Sequence, residues 1–294
     1  MAAFVEIDQL GKNYPIPGGG EAVIVNDFSL DVEQGEFVCL LGHSGCGKST
    51  VLSILMGLNA PTTGGVVIGG REIAGPGTDR GVVFQSATLL PWLSVRGNVD
   101  LALDQVRNGQ GRSAETYLEA VGLAGRGDQY PRELSAGMQQ RVGIARAFAL
   151  EPRLLLLDEP FSLLDALTRM DLQDELMALW ERTRRTVVMV THDVDEAILL
   201  ADRIVMMTNG PAATVGEIFD VPFARPRRRE ELFDRPDYFW LRDAVLGFLE
   251  AQAHVFQSEG AAHGRACGAT APSEASPRTR IARAKPALEP GFEK

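Results

Sequence analysis

Several features that would place this chain of 294 residues in a special structural class are missing from its sequence. The three cysteines, Cys39, Cys46 and Cys267, lack the close spacing of metal ligands, which argues against both a zinc site and a disulfide framework. No apolar stretch approaches the roughly 20 residues of a membrane-spanning helix. The first residues carry no apolar segment typical of a signal peptide. We therefore expect reduced thiols in the cytoplasm, and any membrane involved to be crossed by another polypeptide.

The chain also lacks a basic excess and an internal repeat. Its formal net charge is -10 at pH 7, which argues against a general nucleic-acid binder because such proteins carry a basic surface. With 45% hydrophobic and 23% charged residues, the composition is that of an ordinary globular protein. A chain of this length can bury a large core, so we expect one large domain with an appended subdomain.

The pattern of apolar runs predicts an α/β fold. From Phe4 to about Val38, short apolar runs alternate with turn residues, which indicates an antiparallel β layer at the N-terminus. Further on, buried-strand runs alternate with helical periods, an order typical of a mainly parallel core sheet. The predicted strands lie at 36–41, 81–84, 154–157, 186–190 and 203–207, and two predicted helices at 166–183 and 194–201.

The remaining segments predict a subdomain and a tail. Residues from about 88 to 150 favour helix, most strongly at 112–121 and 138–150, and we expect them to form a helical subdomain. Beyond residue 256, alanine, glycine, proline, serine and arginine replace large apolar residues. The prediction is therefore one domain over 1–256 and a disordered tail over 257–294.

A glycine-rich loop lies between the predicted strand at 36–41 and a helical segment. It fits the pattern G-x-x-x-x-G-K-S/T, in which backbone N–H groups and a helix N-terminus cradle phosphate oxygens. Lys48 is expected to reach the β- and γ-phosphates of a nucleotide, and Ser49 to bind Mg²⁺. A glycine-rich turn that binds nothing is the alternative. The loop consists of Gly42, His43, Ser44, Gly45, Cys46, Gly47, Lys48, Ser49 and Thr50.

Two carboxylates follow the leucine run at 154–157. They are Asp158 and Glu159, and they are expected at the carboxyl edge of the sheet, where ligands of α/β proteins bind. Asp158 would hold Mg²⁺ directly or through water, and Glu159 would be the general base for the attacking water. A strand entering a solvated loop is the alternative for such a pair alone. Downstream of a phosphate loop, the catalytic interpretation is favoured.

A pentapeptide shortly before these acids resembles the signature of the ABC ATPases, and with the phosphate loop it indicates the P-loop NTPase fold of that family. Taken alone, it would equally indicate a capped helix. In ABC ATPases this segment caps the nucleotide bound by the opposite subunit, so the resemblance implies two composite sites in a head-to-tail dimer. Its residues are Leu134, Ser135, Ala136, Gly137 and Met138.

The resemblance assigns four further positions. Gln85 resembles the Q-loop glutamine, which touches the metal and the water. His192 resembles the switch histidine, whose ring can bond the γ-phosphate. Tyr14 resembles the aromatic residue that stacks on adenine, and Asp165 resembles the loop that joins the two halves of the dimer. Taken singly, His192 would also suit a core or capping role, and Tyr14 simple packing in the β layer.

Two positions depart from the family pattern. Ala136 stands where the family usually has glycine, and Leu163 stands where alanine is usual. An added methyl group hinders a positive φ or a close approach of phosphate. We therefore expect a less efficient trans site rather than its loss.

Several loops resemble the ATPases of nitrate, sulfonate and taurine importers. Residues 207–211 and 221–227 are most similar to the nitrate, cyanate and bicarbonate branch. The resemblance implies the ATP-hydrolysing motor subunit of an importer for a small anion, first nitrate, nitrite or cyanate. The alternatives are a sulfonate, taurine or bicarbonate importer, or a soluble ABC ATPase without a transport role. Proteins of that last class carry coiled coils, tandem ATPase units or basic arms, which this sequence lacks.

The resemblance also implies cofactors, partners and location. The cofactors are ATP and Mg²⁺, and the location is the cytoplasmic face of the cell membrane, as a peripheral subunit. The expected partners are integral membrane permease subunits, a second copy or a paralogous ATPase, and indirectly a periplasmic or lipid-anchored substrate-binding protein, with no nucleic acid. Leu90, Trp92 and Leu93 would line a groove for the permease, or else belong to the subdomain core. The run from Arg225 to Arg229 predicts a solvated surface, or contact with an anionic membrane face.

Overall fold

The structure is a computed structural model that describes residues 3–106 and 112–263. Its strands are β1 Val5–Pro15, β2 Glu21–Val32, β3 Phe37–Leu41, β4 Thr63–Ile68, β5 Arg71–Glu72, β6 Arg80–Val83, β7 Leu154–Asp158, β8 Thr186–Val190, β9 Arg203–Met207 and β10 Val215–Asp220. Its helices are α1 Lys48–Leu55, α2 Val95–Leu103, α3 Ala114–Ala120, α4 Ala136–Ala149, α5 Ala166–Thr183, α6 Val194–Leu200, α7 Arg229–Phe233 and α8 Pro236–His263, with a 3-10 turn at Pro131–Glu133.

The strands form two sheets. The central sheet has the order β10-β9-β3-β8-β7-β6, and every neighbouring pair is parallel except β10 with β9. The second sheet is antiparallel, with the order β2-β1-β4-β5. Strands β3, β7 and β8 are almost entirely apolar because both faces of the central sheet are covered. The predicted fold class, with its parallel core sheet and N-terminal antiparallel layer, is confirmed.

Successive residues of each central strand pack on opposite faces of the sheet. On β7, Leu154 and Leu156 belong to the core shared with the antiparallel layer and α1. Leu155 and Leu157 belong to the core shared with the helices from α2 to α6. This alternation fixes the register of the strand, since a shift by one residue would exchange the two faces. The carboxyl edge of the sheet is thereby held rigidly at the point where Asp158 leaves β7.

Several predicted elements have the bounds that the structure shows, or differ by one residue. Strands β8 and β9 and helix α5 have the predicted bounds, and α6 ends one residue earlier than expected. The segment 88–150 contains α2, α3 and α4, and its treatment as a separate subdomain stays a prediction. No element was predicted for β4, β5, β10, α7 or α8.

Helix α8 crosses the predicted boundary between the domain and the tail, and the domain bounds stay a prediction. It continues to His263, beyond residue 257, where the disordered tail was expected to begin. Many residues between Ala251 and His263 are good helix formers, and none is proline. The rest of the predicted tail, 264–294, lies outside the described residues. None of the described helices has the length and apolar character needed to cross a membrane.

The arginine run was interpreted wrongly, because its members alternate between inward and outward positions. Arg227 donates hydrogen bonds to the carbonyl oxygens of Ile198 and Leu199, at 3.0 and 3.2 Å, where α6 ends. Arg225 lies 4.3 Å from the ring centroid of Trp180 and pairs with Asp202. Burial, followed by the nearby Arg225 charge, lowers the pKa of Arg227 to about 10. These arginines are internal caps, which satisfy the free carbonyl groups of a helix end.

Candidate active site

The phosphate loop joins β3 to α1, as its sequence predicted. Gly47 caps α1 with φ of 102°, a conformation that side chains rarely adopt. A Cβ atom there would lie 2.9 Å from Cγ2 of Val25, so β2 leaves no room for a side chain. The strand, the glycine turn and the helix N-terminus therefore form a cradle in which backbone N–H groups can face an anion.

Lys48 turns back over this cradle. Its side chain is buried, and Nζ donates to the carbonyl oxygens of Gly42 and His43 at 2.7 and 2.8 Å. An ammonium group has three donors, and Nζ also lies 3.9 Å from Sγ of Cys46, a weaker acceptor than a phosphate oxygen. The loop thus presents a fixed positive charge together with its backbone donors.

Ser49 and Asp158 bring two oxygen ligands together from opposite sides of the site. Ser49 lies on α1 and donates from Oγ to Oδ1 of Asp158, at 3.3 Å. Burial raises the pKa of Asp158, as does the charge of Glu159, while the Ser49 hydrogen bond and Lys48 oppose the rise. Hydroxyl and carboxylate oxygens are the ligand types that Mg²⁺ selects, so this pair fits the predicted ion.

Glu159 is the point at which three predicted catalytic residues meet. Its backbone has φ of 44°, and its N–H donates to the carbonyl oxygen of Val190 on β8 at 3.0 Å. Its Oε2 lies 3.4 Å from Nδ1 of His192 and 3.4 Å from Nε2 of Gln85. The residues following β6, β7 and β8 therefore converge on one carboxylate. A water molecule next to Glu159 would have both an acceptor for its proton and two groups that orient it.

The signature segment lies at the start of α4. Ser135 caps that helix by accepting from the N–H of Met138 at 3.3 Å. Ala136 is the first residue of the helix and has no positive φ, so the expected backbone strain at this position is absent. A Cβ atom on Gly137 would lie 2.4 Å from Cγ2 of Thr168, so the segment packs against the beginning of α5. Within residues 3–106 and 112–263, no hydrogen bond or ion pair joins the signature to the phosphate loop.

Asp165 caps α5 and lies beside exposed leucines. Its Oδ1 accepts from the N–H of Thr168 at 3.0 Å, and hydrogen bonds from Thr168 lower its pKa. Leu163 is 62% exposed and Leu167 is 74% exposed. An apolar surface of this kind next to a predicted dimer contact is typical of a segment that a second protein covers.

Tyr14 lies at the end of β1, next to an open cavity. It is half-buried, pairs with Ala22 across the sheet, and carries the ammonium group of Lys12 at 4.9 Å from its ring centroid. The cavity has a volume of 660 Å³ and is lined by Ala22, by phosphate-loop residues from His43 to Cys46, and by Ala253 of α8. Tyr14 is therefore joined to this cavity through its strand partner Ala22, and among the described residues no hydrogen bond joins it to the phosphate loop.

Helix α8 contacts the phosphate loop from outside the predicted site. A ring nitrogen of His43 lies 2.8 Å from the carbonyl oxygen of Leu249, and Asn209 donates to the carbonyl oxygen of Gln252 at 2.6 Å. This contact could not be expected from the sequence, because no helix was predicted at the position of α8. One wall of the predicted phosphate site is therefore formed by α8, near the C-terminal end of the described residues.

Sequence reasoning also missed supporting residues near Glu159. Ser162 accepts from Gln85 at 3.0 Å, and Thr191 and Glu196 form a buried pair next to His192. Ser162 follows Glu159 closely, so its place in the same loop was a usable signal. Thr191 and Glu196 lie in one of the loops that resemble importer ATPases, but the resemblance assigned neither residue a role.

Comparisons with known proteins place this geometry in a family. The ABC transporter family model matches residues 25–162. The nitrate import ATP-binding protein NrtD of Synechococcus elongatus is 51% identical over 251 residues, covering 84% of this chain and 91% of NrtD. The bicarbonate transport ATP-binding protein CmpD of Synechocystis sp. is 49% identical over 252 residues, covering 84% and 89%.

A longer relative and solved structures agree with this result. The nitrate import ATP-binding protein NrtC of Synechococcus elongatus is 49% identical over 86% of this chain, which spans 39% of NrtC. A dimeric, post-hydrolysis structure of the ATP-binding cassette MJ0796 with ADP and Pi has 31% identity and a TM-score of 0.65, covering 75% of this chain and 100% of that one. The phosphate loop, the acids after β7 and the near-complete coverage of NrtD lead to one conclusion: the chain belongs to the ABC transporter family, as an ATP-binding cassette.

Proposed function

We propose that this chain is the ATP-hydrolysing motor subunit of an importer for a small anion, with nitrate, nitrite or cyanate as the first candidates. The observation that carries the proposal is the convergence of Gln85 and His192 on Glu159, next to the Ser49–Asp158 pair. Such a set can bind a nucleotide, its metal and a water. The importer role is supported by NrtD and NrtC, which are named for nitrate import.

ATP binding is assigned to the phosphate loop and Tyr14. Backbone N–H groups and Lys48 hold the β- and γ-phosphates, and Tyr14 stacks on the adenine ring from the end of β1. Ser49, Asp158 and Gln85 would hold Mg²⁺, which neutralises charge on the phosphate oxygens. In this structure Nε2 of Gln85 donates to Glu159 and Ser162, so its amide oxygen would be the ligand for the ion.

Hydrolysis is assigned to Glu159 and His192. Glu159 accepts the proton of the attacking water, and His192 donates a hydrogen bond to the γ-phosphate as negative charge develops there. Both residues project from loops fixed by rigid strands, so their separation is set before the nucleotide arrives. Oε2 of Glu159 and Nδ1 of His192 are 3.4 Å apart, which supports a shared role for the two residues.

A dimer completes the site in this proposal. The signature segment, from Leu134 to Met138, would cap the nucleotide bound by a second copy or a paralogous cassette. Asp165 and the exposed Leu163 and Leu167 lie where the two subunits would meet. The dimeric form of the MJ0796 cassette supports this arrangement. The absence of contact between signature and phosphate loop within the described chain agrees with capping in trans.

Contact with a permease is assigned to the loop that carries Trp92. Trp92 is 71% exposed, whereas Leu90 and Leu93 are half-buried, so Trp92 is not part of the subdomain core. The buried Asn98 holds this loop, since it accepts from the N–H of Leu90 and donates to the carbonyls of Leu90 and Leu93. A rigid loop with an exposed indole suits a helix from an integral membrane subunit. This would locate the chain at the cytoplasmic face of the cell membrane, with a substrate-binding protein reached only through the permease.

Bicarbonate is the second candidate substrate, because CmpD is as similar to this chain as the nitrate proteins are. The test is purification of the tagged chain from native membranes in mild detergent, with mass spectrometry of the co-purified proteins. The recovered complex is then reconstituted into vesicles. ATP-driven uptake of labelled nitrate, and not of labelled bicarbonate, supports the first candidate. Recovery of only soluble proteins would contradict the importer role.

A further inference from the structure

A buried carboxylate that the proposed reaction does not use lies next to the histidine loop. Glu196 on α6 is 7% exposed, and its neighbours Gln173 on α5 and Thr191 at the end of β8 are each 2% exposed. Burial raises the pKa of Glu196, and hydrogen bonds from Thr191 and Gln173 oppose the rise. Burying a carboxylate costs stability unless its oxygens are hydrogen-bonded, so this group needs a reason to be present.

An arginine fixes which atoms donate and which accept in the hydrogen bond between Gln173 and Glu196. Arg229, at the start of α7, donates to Oε1 of Gln173 at 2.5 Å. A guanidinium group has no acceptor, so the amide oxygen of Gln173 must face Arg229 and its NH₂ group must face Glu196. Nε2 of Gln173 then donates to Oε1 of Glu196 at 2.6 Å. Oε1 of Glu196 must therefore act as a hydrogen-bond acceptor.

The other oxygen of Glu196 holds the histidine loop. Oγ1 of Thr191 accepts from the N–H of Asp193 at 3.1 Å and donates to Oε2 of Glu196. The Asp193 carboxylate in turn accepts from the N–H of Glu196 at 3.0 Å. These bonds fix the backbone on both sides of His192, whose own side chain is 61% exposed and has Glu159 as its described contact. The position of the imidazole therefore depends on its two neighbours in the chain.

We propose that Glu196 is a positioning residue for His192. By accepting from both Thr191 and Gln173, it holds the histidine loop so that the imidazole stays next to Glu159. Through Gln173 and Arg229, the same network ties this loop to α7. The inference rests on the proposed ATPase function, because it assigns Glu196 a role only through His192.

The network predicts which substitutions matter. Thr191→Val keeps the shape of the side chain and removes its hydroxyl, whereas Thr191→Ser keeps the hydroxyl. Glu196→Gln replaces an oxygen with a donor, and that donor would face either the Gln173 amide nitrogen or the Thr191 hydroxyl. We expect kcat for ATP hydrolysis to fall about tenfold in Thr191→Val and Glu196→Gln, with KM unchanged. Thr191→Val removes both hydrogen bonds of the hydroxyl, and Glu196→Gln leaves a buried donor hydrogen without an acceptor. Thr191→Ser should retain the wild-type kcat.

A double-mutant cycle separates positioning from general stability. If Glu196 acts through His192, Glu196→Gln should cause no further loss of phosphate release in a His192→Ala background. Purified full-length variants are compared by steady-state phosphate release with Mg-ATP and by thermal unfolding. Two results would overturn the inference and leave the proposed function intact. In one, the losses of the two single variants multiply in the double variant. In the other, kcat is unchanged in both Thr191→Val and Glu196→Gln. Failure of both variants to fold would assign the network to stability and overturn the inference as well.

The proposed function fails in a different way. If the wild-type chain releases no phosphate above the Lys48→Ala background, or if His192→Ala retains the wild-type rate, the ATPase assignment itself is overturned, and the role of Glu196 with it. A wild-type chain that is active and sensitive to His192→Ala keeps the proposed function. The cycle then decides only the role of Glu196.

Discussion

Oε2 of Glu159 lies 3.4 Å from Nδ1 of His192, although the two residues follow different strands of the central sheet. The contact exists because β7 and β8 are parallel neighbours, with Asp158 opposite Val190 in register. The first loop residues after β7 and those after β8 therefore lie close together. The proposed general base thus lies next to the histidine that is proposed to bond the γ-phosphate.

Glu159→Gln should stop turnover while leaving ATP binding intact. The amide keeps the shape of the side chain but cannot accept the proton of the attacking water, so the rate of phosphate release should fall by roughly 10²- to 10⁴-fold. Because ATP is then retained, light scattering with Mg-ATP should detect a dimer. Glu217→Gln, exposed on β10, is the matched control and should retain the wild-type rate. Only monomer with Mg-ATP would contradict the composite-site proposal.

Lys48→Ala should abolish ATP binding. The ammonium group is held over the loop by Gly42 and His43, so its loss removes the charge that faces the phosphates. Titration with a fluorescent ATP analogue should detect no saturable binding at micromolar concentration. Arg71→Ala, on exposed β5, should bind as the wild type does. Unchanged turnover in Lys48→Ala would remove the phosphate-loop assignment.

Asp158→Asn should stabilise the protein while it removes activity. Burial raises the pKa of Asp158 above its ordinary 3.8, so the folded state bears a cost for the ionised carboxylate at neutral pH. That cost is fully present above the raised pKa and disappears as pH falls below 3.8, where neither state is ionised. We expect the Tm to rise at pH 7.5, with a smaller rise at pH 4. An equal shift at both pH values would contradict the electrostatic cause.

Trp92→Ala should separate ATP turnover from assembly. Because the indole is 71% exposed, its loss should leave thermal unfolding and phosphate release of the isolated chain unchanged. Recovery of permease subunits with the tagged chain should fall sharply. Trp240→Ala, which is 66% exposed on α8, provides the matched control. Equal permease recovery with both variants would show that the Trp92 loop is not the contact.

Arg227→Ala should destabilise the fold, whereas Arg228→Ala should not. Arg227 satisfies carbonyl groups at the end of α6, and without it they are buried without donors. We expect the free energy of unfolding in urea to fall by about 2–3 kcal/mol. The Arg228 side chain is 76% exposed and, within the described residues, forms an ion pair with Glu231 alone, so its removal should change this free energy by less than about 0.5 kcal/mol.

The parts of the fold that sequence reasoning predicted well are those with one dominant physical signal. Strand β8 is continuously apolar, so burial on both faces could be read directly. Strand β4 was missed because two glycines, Gly64 and Gly65, open it and hide its β propensity. Helix α8 was missed because its neighbouring aromatic residues give no clear helical period of apolar positions. The structure distinguishes them by burial, since Tyr238 is 3% exposed and Trp240 is 66% exposed.

The candidate site divides in the same way. The phosphate loop and the Asp158–Glu159 pair are contiguous motifs, so their residues could be named before the structure was available. The network of Gln173, Glu196 and Arg229 draws on three separate helices, and no local pattern contains it. The inward direction of Arg227 likewise depends on carbonyl groups of α6, which composition does not reveal. Sequence therefore predicted the groups proposed to touch the nucleotide better than those that hold them in place.

The contact between His43 and Leu249 has a consequence for biosynthesis. The two residues are 206 positions apart in the chain, yet they join the phosphate loop to the last helix. Since a ribosome releases the chain from its N-terminus, the loop sequence emerges long before α8 does. The nascent protein can form β3 and α1 early, but the phosphate loop acquires its final wall only when Leu249 has left the exit tunnel. A ribosome stalled before that point would carry a chain whose phosphate loop is still open on that side.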